Sequence, residues 1–412
     1  MQSKLIKKPS VYGNAKSCLI SPRIIGIERN KITQIADLAR DDASILRLWI
    51  GEGDVATPNF ISSAAKCALD AGATRYTYAL GLPVIRKALS HYHQRHWGVS
   101  IDPDRFAMTV GGMNAFMQAC QALLEPDDEV LVPSPAWPNL FEAIRIVGGR
   151  PVPVPFQIDA QGDFTLPLSS LYAAVTSRTR AIIINSPSNP TGWIMSKAEM
   201  RELLDYTRER GLWLISDEVY SHFTYDGAKA TSFLELAESD DRLLVTNTFS
   251  KNWAMTGWRS GWIVFPDGMQ EIFENLGQFN TTGIPTFIQH AATVALNEGD
   301  KFIKDFVERC AESREILCNE LGKCPGIRVG RPAGTFYLML KLQDGSDSLS
   351  LALRMLREAK VGLAPGVAFG PGGESLLRLC FGIAPTLAVE AAKRISGFFR
   401  DTIGQKSYAG QA

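Results

Sequence analysis

Short apolar runs alternate with amphipathic stretches through the middle of the chain. The runs rich in Val, Ile and Leu predict buried strands at 128–135, 180–190, 211–220, 242–251 and 261–266. Stretches with helical periodicity lie between them, at 113–124, 138–147 and 197–210. This alternation is typical of an α/β domain in which helices cover both faces of a mostly parallel sheet.

The pattern changes after about residue 295. A long charged helix is predicted at 299–321, followed by strands and helices at 334–342, 347–359, 375–381 and 385–400. This mixture favours a smaller α+β unit, which we expect the N-terminal segment to join because that segment is too short to fold alone. The predicted division is an N-terminal segment at 1–52, a large domain at 53–294 and a small domain at 295–412, with a disordered tail after residue 402.

Composition and charge narrow the classes of function. The chain has 412 residues, with 43 Lys and Arg against 43 Asp and Glu, so no overall field favours nucleic acid or an anionic membrane. No window approaches the 18 apolar residues of a membrane span, and the basic N-terminus lacks the apolar core of a signal peptide. The seven cysteines form no C-x-x-C pair. We therefore expect reduced thiols and a cytoplasmic protein without membrane or nucleic-acid partners.

Polar clusters follow three of the predicted strands directly. They read SPSNP, SDEVY and NTFSK, and they end the runs at 180–190, 211–220 and 242–251. In a parallel sheet the carboxyl ends of the strands meet at one edge, where ligands bind. The sequence therefore predicts that these clusters open into one crevice.

The third cluster contains the most informative residue, Lys251. Thr248 and Ser250 precede it and Arg259 follows, so hydroxyls and a guanidinium suited to an anion surround an amine. A solvated surface lysine is the alternative interpretation. At the end of an apolar strand, however, desolvation lowers the pKa of an amine and favours its nucleophilic form.

The other two clusters supply an acid, a phenol and an amide. Asp217 ends an apolar strand, and a buried carboxylate needs a partner such as a protonated ring nitrogen. Tyr220 and Asn189 could hydrogen bond to a ring oxygen. The competing interpretations are a helix cap or an arginine partner for Asp217, and a turn for Asn189 beside Pro190.

Two further stretches fit a planar phosphate-bearing ligand. The glycines in TVGGMNAF start a helical pattern, so the turn 111–114, including Gly112, Met113 and Asn114, offers free N–H groups to a phosphate. Trp137 follows a strand and could stack on a ring, although a core tryptophan is equally consistent with its position. Together the phosphate contacts, the acid, the donors, the stacking face and the amine match pyridoxal 5′-phosphate, with Lys251 as its Schiff-base partner.

The chain resembles the class I/II aminotransferases, which are fold-type I pyridoxal-phosphate enzymes, over nearly its whole length. Short motifs occur in the order found in that family: GEGDVATP, RYTYALGLPVIRKAL, VGGMNAF, SPSNPTG, SDEVY, SKNWAMTGWRSGW, GTFY, APGVAFG and RLCFG. The resemblance implies a mostly parallel seven-stranded sheet in the large domain. Thr248, often Ser or Gly in the lysine motif, and Ser260, often aliphatic there, depart from the common signature but keep the chemistry.

The resemblance also implies roles for particular residues. Lys251 would form the Schiff base, Asp217 would pair with the pyridine nitrogen, and Trp137 would stack on the ring. Arg378 would bind the α-carboxylate of the substrate, with a backbone contact from Gly51. Further implied contacts are Tyr220 and Asn189 to the ring hydroxyl, and Tyr76 across a homodimer interface to the partner's phosphate, so that the two active sites are shared.

The implied activity is ping-pong transfer of an amino group from an L-amino acid to a 2-oxo acid, with Lys251 as general base. Other pyridoxal-phosphate reactions remain open on the same scaffold: β- or γ-elimination, a cyclopropane-forming synthase reaction, or an oxidase or decarboxylase reaction. A non-enzymatic alternative is the effector domain of certain bacterial transcription regulators. That alternative is disfavoured because about 50 residues before GEGD are too few for a DNA-binding domain and linker.

Two remaining signals concern metals and substrate choice. His91, His93 and His96 have no ordered carboxylate set around them, so we predict no metal site. Met113 stands where relatives that prefer aspartate or glutamate often have a basic residue, which favours an apolar or aromatic substrate. An arginine from the N-terminal segment, Arg23 or Arg29, could reverse that preference by entering the pocket.

Overall fold

The large sheet has seven strands and forms the centre of the molecule. The computed structural model describes the backbone of residues 21–409. In chain order the strands are β1 Phe106–Thr109, β2 Glu129–Ser134, β3 Arg150–Pro155, β4 Thr179–Asn185, β5 Trp213–Asp217, β6 Leu243–Thr248 and β7 Gly261–Val264. Their spatial order is β1-β7-β6-β5-β4-β2-β3. All neighbours are parallel except that β7 runs antiparallel to both β1 and β6.

This arrangement confirms the predicted α/β class and the mostly parallel seven-stranded sheet. The central strands β4, β5 and β6 consist almost entirely of buried residues, as expected for a sheet covered on both faces. The sequence pattern did not identify β1 and β3. Strand β3 has the sequence RPVPVP and lies at the sheet edge, where proline is tolerated because one side of the strand needs no ladder donors.

Helices cover the sheet and build the second unit. The described helices are Pro22–Ile25, Lys31–Ala39, Asn59–Asp70, Pro83–Trp97, Gly112–Leu123, Pro138–Val147, Leu168–Ala173, Lys197–Arg210, Phe249–Asn252, Gln270–Thr281, Thr286–Glu298, Asp300–Leu321, Ser348–Glu358 and Pro385–Ala409, with 3₁₀ turns at Pro103–Arg105, Phe233–Glu235, Thr256–Trp258 and Gly366–Phe369. Local sequence signals explain where helix Lys197–Arg210 begins and ends. Ser196 and Glu199 form a capping box, and Gly211 ends the same helix in the left-handed region.

The C-terminal unit contains a second, antiparallel sheet. Its strands are Ile327–Val329, Tyr337–Leu342, Leu376–Cys380 and Ala364–Pro365, in that spatial order. Further short strands pair at Gln157–Ile158 with Phe164–Thr165 and at Leu46–Arg47 with Val361–Gly362. The last helix continues to residue 409, so the described part of the tail is helical and not disordered as predicted; residues 410–412 lie outside the described part.

The described part of the N-terminal segment packs against this C-terminal unit. Leu46 pairs in parallel with Val361, and Ile35 and Trp49 lie in the same apolar core as Leu340 and Leu377. The predicted domain limits at 52 and 294 remain a proposal. The second limit falls inside helix Thr286–Glu298, which packs on helices Asn59–Asp70 and Pro83–Trp97.

Candidate active site

A cavity of about 570 Å³ opens where strands β4, β5 and β6 end. The last residues of these strands, Asn185, Asp217 and Thr248, all line it, as predicted for polar clusters that open into one crevice. Of the residues predicted from the sequence, its wall includes Gly51, Gly112, Met113, Trp137, Asn189, Asp217, Tyr220, Thr248, Ser250, Lys251, Arg259 and Arg378.

Lys251 lines this cavity from the short helix Phe249–Asn252 that follows β6. Its Nζ donates a 2.5 Å hydrogen bond to the carbonyl oxygen of Gly51 and lies 5.7 Å from the centre of the Tyr220 ring. Burial lowers the pKa of Lys251 to about 8, and the neighbouring charges of Arg378 and Arg259 act in the same direction. The amine therefore has a substantial neutral fraction near pH 8.

Asp217 is buried at the end of β5 without a salt bridge to any described residue. Its Oδ1 accepts a long, 3.4 Å hydrogen bond from the N–H of Val219. Burial raises the pKa of Asp217 to about 7, although the Val219 bond and the charge of Lys251 oppose that rise. A carboxylate placed in this way is complementary to a cation inside the cavity.

Arg378 is a buried cation without an acidic partner among the described residues. It is only 3% exposed, and its guanidinium donates to Asn189 Oδ1 at 2.9 Å and to the carbonyl oxygen of Trp49 at 2.7 Å. Its carbon Cζ lies 4.3 Å from the ring centre of Tyr337 and 4.7 Å from that of Phe369. The Nε atom has no hydrogen-bond partner among the described residues. A buried guanidinium with neutral partners is suited to binding a carboxylate that enters the cavity.

A second group of anion donors lies around Arg259 and the start of helix Gly112–Leu123. Gly111 precedes helix Gly112–Leu123 with a φ of 78°, and a Cβ there would be 2.3 Å from Nη2 of Arg259. Glycine is therefore needed for both the turn and the packing of Arg259. Thr248 Oγ1 lies 2.9 Å from Ser250 Oγ and accepts the Ser250 N–H at 3.1 Å. Hydroxyls, a guanidinium and a helix N-terminus together suit a phosphate.

Tyr220 and Asn189 both line the cavity, but they contact different partners. The Tyr220 hydroxyl lies 2.8 Å from the hydroxyl of Tyr337. Asn189 accepts from Arg378 through its side chain, and its backbone N–H donates to Asn185 Oδ1 at 2.7 Å. The amide is therefore engaged in holding Arg378, a contact that the sequence did not predict.

Two predicted residues do not bring their side chains into this cavity. Asn114 is turned toward its own helix, where Oδ1 accepts from Val110 N–H and Gln118 Nε2, both at 3.2 Å. The amide caps the helix start, so the predicted cofactor contact of Asn114 stays a prediction that concerns its backbone N–H. Tyr76 is 90% exposed and is absent from the described wall of the cavity in its own chain.

The structure adds wall residues that sequence reasoning did not single out: Ile32, Asn185, Glu52 and Tyr337. Tyr337 belongs to the quoted GTFY motif, which was the available signal for it. Neither N-terminal arginine lines the described wall. Arg29 pairs with Asp37 on the surface, and Arg23 lies against Gly148.

Four features of the donor set fit pyridoxal 5′-phosphate. Asp217 is a buried acid without a cationic partner among the described residues, as a protonated ring nitrogen requires. Gly112, Thr248 and Arg259 supply phosphate donors, and Lys251 supplies a partly neutral amine. Trp137, partly exposed on the cavity wall, offers a ring face. Among the described residues no group of His, Cys, Asp and Glu has the arrangement of a metal site.

The chain belongs to the family described as aminotransferase class I and II, whose model matches residues 44–395. It is 35% identical to an aspartate aminotransferase of Pyrococcus abyssi over 93% of this chain and 98% of that protein. It is 34% identical to an aromatic-amino-acid aminotransferase of Thermococcus litoralis, again over 93% and 98%. The crystal structure of an aromatic aminotransferase from Pyrococcus horikoshii matches with a TM-score of 0.83 and 34% identity, covering 90% of this chain and 99% of that one.

These relationships establish the class of enzyme. The chain is a pyridoxal-phosphate-dependent aminotransferase of fold-type I, which acts on amino acids and 2-oxo acids. In the part of the chain that the structure describes, no helix combines the length and apolar character needed to cross a bilayer.

Proposed function

We propose that the cavity around Lys251 is the aminotransferase active site and that its preferred amino donor carries an apolar or aromatic side chain. The observation that supports the site most strongly is that Lys251 lines one cavity together with Arg378 and Arg259, whose charges both act on its amine. When bound, pyridoxal phosphate supplies an aldehyde that reacts with amines and a protonated ring that accepts electrons.

Asp217 and the phosphate donors hold the cofactor in this proposal. A ring cation beside Asp217 stabilises the ionised carboxylate and relieves the cost of its burial. Thr248, Ser250, Arg259 and the N-terminus of helix Gly112–Leu123 hold the phosphate. These contacts fix the ring relative to Lys251, because strands β5 and β6 are adjacent and in parallel register.

Arg378 and Lys251 act on the substrate. Arg378 binds the α-carboxylate through a guanidinium already oriented by Asn189 and Trp49, so little side-chain entropy is lost on binding. Lys251 Nζ removes the proton from the substrate Cα. Its pKa of about 8 keeps a useful fraction of the amine neutral at mildly alkaline pH.

The remaining residues of the cavity wall support an apolar or aromatic amino donor. Ile32, Ile50, Met113 and Phe116 line it, and Glu52 adds a carboxylate. A second carboxylate on the substrate would meet apolar surface and the negative charge of Glu52, and its unpaired burial would be costly. Relatives named for aspartate and for aromatic amino acids are about equally similar to this chain, so similarity does not distinguish the two substrate classes. The proposed substrate class therefore rests on the residues of the cavity wall.

The test is the amino-acid half-reaction without an acceptor, followed through the visible absorbance of the cofactor. We expect kcat/KM for phenylalanine or leucine to exceed that for aspartate and glutamate. Met113→Lys should raise the value for aspartate, whereas the matched variant Met113→Leu should leave the order unchanged. Aspartate leading by tenfold or more in the wild-type enzyme would contradict the proposed substrate class.

We further propose a homodimer with shared active sites, located in the cytoplasm. Tyr76 and Tyr78 are exposed on a loop that packs against helix Gln270–Thr281, which carries the 85% exposed Phe279. Such exposed aromatic surface is suited to a subunit interface, across which Tyr76 could reach the partner's phosphate. The six cysteines that the structure describes are all free thiols, which supports a reducing compartment.

Sedimentation of the active enzyme tests the dimer. We expect twice the chain mass at assay concentrations, and we expect Tyr76→Phe to weaken cofactor retention more than Tyr78→Phe. A monomer that keeps full activity would remove the basis for shared sites.

A further inference from the structure

Tyr337 is a fully buried residue on the cavity wall that the proposed mechanism does not use. It begins strand Tyr337–Leu342 of the small sheet and pairs in register with Cys380, two residues beyond Arg378. Its side chain contacts groups that take part in the proposed site. The ring and the hydroxyl contact different groups.

The ring of Tyr337 supports the carboxylate-binding guanidinium. The Cζ atom of Arg378 lies 4.3 Å from its centre, and Phe369 contacts the same guanidinium at 4.7 Å. The two rings therefore restrict the plane of the guanidinium. A cation over an aromatic face is stabilised electrostatically, most strongly where water is excluded.

The hydroxyl of Tyr337 contacts the reacting end of the cavity. It lies 2.8 Å from the Tyr220 hydroxyl. It also packs against Gly51 so closely that a Cβ at this glycine would be 2.6 Å from the Tyr337 oxygen. The carbonyl oxygen of Gly51 is in turn the acceptor for Lys251 Nζ.

We propose that Tyr337 is a positioning residue that links the carboxylate-binding Arg378 to Tyr220 and, through Gly51, to Lys251. This inference rests on the roles proposed above for Arg378 and Lys251, and on the ring-hydroxyl contact that the family resemblance implies for Tyr220. Burial raises the pKa of both tyrosines, so both hydroxyls stay protonated at the pH of the reaction. The two hydroxyls lie within hydrogen-bond distance and either can be the donor, so Tyr337 fixes the position of the Tyr220 hydroxyl.

Two substitutions separate the ring from the hydroxyl. Tyr337→Phe keeps the ring under Arg378 and removes the contact with Tyr220, so we expect kcat to fall roughly three- to tenfold, the range of one buried hydrogen bond. KM for the amino acid should change by less than about twofold. Tyr337→Leu removes both contacts and should also weaken carboxylate binding by about three- to tenfold.

Two binding measurements on the cofactor-free protein avoid relying on turnover. Calorimetric titration with 3-phenylpropionate, a non-reactive carboxylate, should give a similar Kd for wild type and Tyr337→Phe and a higher Kd for Tyr337→Leu. Titration with pyridoxal 5′-phosphate should show weaker binding to Tyr337→Phe, because Tyr220 has lost its partner.

A double-mutant cycle tests whether Tyr337 acts through Tyr220. If it does, Tyr220→Phe combined with Tyr337→Phe should lower kcat no further than Tyr220→Phe alone. The matched control is Tyr225→Phe, which removes a part-buried hydroxyl that donates to the carbonyl oxygen of Thr335, two residues before Tyr337, and is not on the described cavity wall. We expect the control to retain wild-type kcat.

Independent, multiplicative effects of the two substitutions, or a Tyr337→Phe variant that behaves like Tyr225→Phe, would overturn the inference while leaving the aminotransferase site intact. Failure of the wild-type half-reaction would instead remove the proposed function. If Tyr337→Phe does not fold, Gly51→Ala provides the second variant, since its methyl group displaces the Tyr337 hydroxyl. That variant should show the same fall in kcat, and a wild-type kcat would overturn the link.

Discussion

The two anion-binding ends of the active-site cavity are built in opposite ways. At one end, Arg378 is buried in the small sheet, in contact with two aromatic rings and hydrogen bonded to Asn189 and Trp49. At the other end, Arg259 is exposed and donates to the carbonyl oxygen of Thr256 at 2.8 Å. Lys251 lines the same cavity, and the charges of both arginines act on its amine.

The difference matches the ligands proposed for each end. A substrate must bind and leave in every turnover, so its carboxylate is best served by one oriented guanidinium that needs no rearrangement. A cofactor phosphate stays bound and is held by many moderate donors at once: hydroxyls, backbone N–H groups and a partly solvated arginine. We therefore expect loss of a single group to be severe at the Arg378 end and graded at the Arg259 end.

Replacing Lys251 should have the largest effect on turnover. Lys251→Ala removes both the Schiff-base amine and the proposed general base, so turnover should fall by at least about 10³-fold. Borohydride reduction followed by peptide mass mapping should label Lys251 in the wild type and no peptide in the variant. A label on another lysine of the wild-type enzyme would mean that Lys251 is not the reacting amine.

Replacing the buried arginine should have the next largest effect. Arg378→Gln leaves a substrate carboxylate without its charged partner, and kcat/KM should fall on the order of 10²-fold or more. Arg378→Lys should recover only part of this loss, because an ammonium cannot form the paired contacts of a guanidinium. A decrease smaller than about threefold for Arg378→Gln would argue against a carboxylate site at this end.

Asp217→Asn should change the pH dependence of both cofactor binding and stability. Burial gives Asp217 a pKa of about 7 in the cofactor-free fold, above its ordinary value of 3.8. Between these two pH values the folded state holds a proton that the unfolded state has lost, so this carboxyl makes the cofactor-free protein less stable as pH rises from about 4 to 7.

The thermal stability of cofactor-free Asp217→Asn should therefore fall less steeply between about pH 4 and 7 than that of the cofactor-free wild type. The variant should also bind pyridoxal phosphate about tenfold or more weakly, since the ring cation has lost its partner. Glu218→Gln is the matched comparison. Burial also raises the pKa of Glu218 to about 7, so this variant should flatten the same stability profile, but its carboxylate accepts from Ser216 and Phe233 away from the described cavity wall, so cofactor binding should not change. A flattened profile only in Glu218→Gln would mean that Asp217 is not the titrating group.

Single hydroxyl substitutions at the phosphate end should have the smallest effects. Ser250→Ala and Thr248→Val each remove one of several donors, so the Kd for pyridoxal phosphate should rise about two- to tenfold while kcat with saturating cofactor changes little. Loss of turnover in Ser250→Ala with saturating cofactor would show that this end does more than hold the phosphate.

The contrast between the ends also explains what the sequence could predict. The phosphate donors Thr248, Ser250 and Arg259 lie within one short window, and the helix start at Gly112 carries its own glycine signal. The carboxylate end joins Trp49, Asn189 and Arg378, which are far apart in the chain. Arg378 was therefore reached only through resemblance to a family, and the contacts that Trp49, Asn189 and Tyr337 make with it were not reached at all.

The same reasoning applies to the fold. Long apolar runs predicted β2 and β4 to β7, because buried central strands need continuous Val, Ile and Leu. Several runs were drawn too long at their carboxyl ends, since the polar residues that follow belong to active-site loops; the run 211–220 contains only the strand Trp213–Asp217. Strand β3 was missed because its prolines are compatible only with a sheet edge, which a local pattern cannot identify.

A crossed titration tests most directly whether the two ends serve two different anions. Wild type, Arg259→Gln and Arg378→Gln would each be titrated calorimetrically, first as cofactor-free protein with pyridoxal 5′-phosphate and then, cofactor-saturated, with 3-phenylpropionate. We predict that Arg259→Gln raises the Kd for the cofactor with little change for the carboxylate, and that Arg378→Gln does the reverse. The account would be contradicted if both substitutions raised the Kd of both ligands equally. It would also be contradicted if Arg259→Gln affected only the carboxylate and Arg378→Gln only the cofactor.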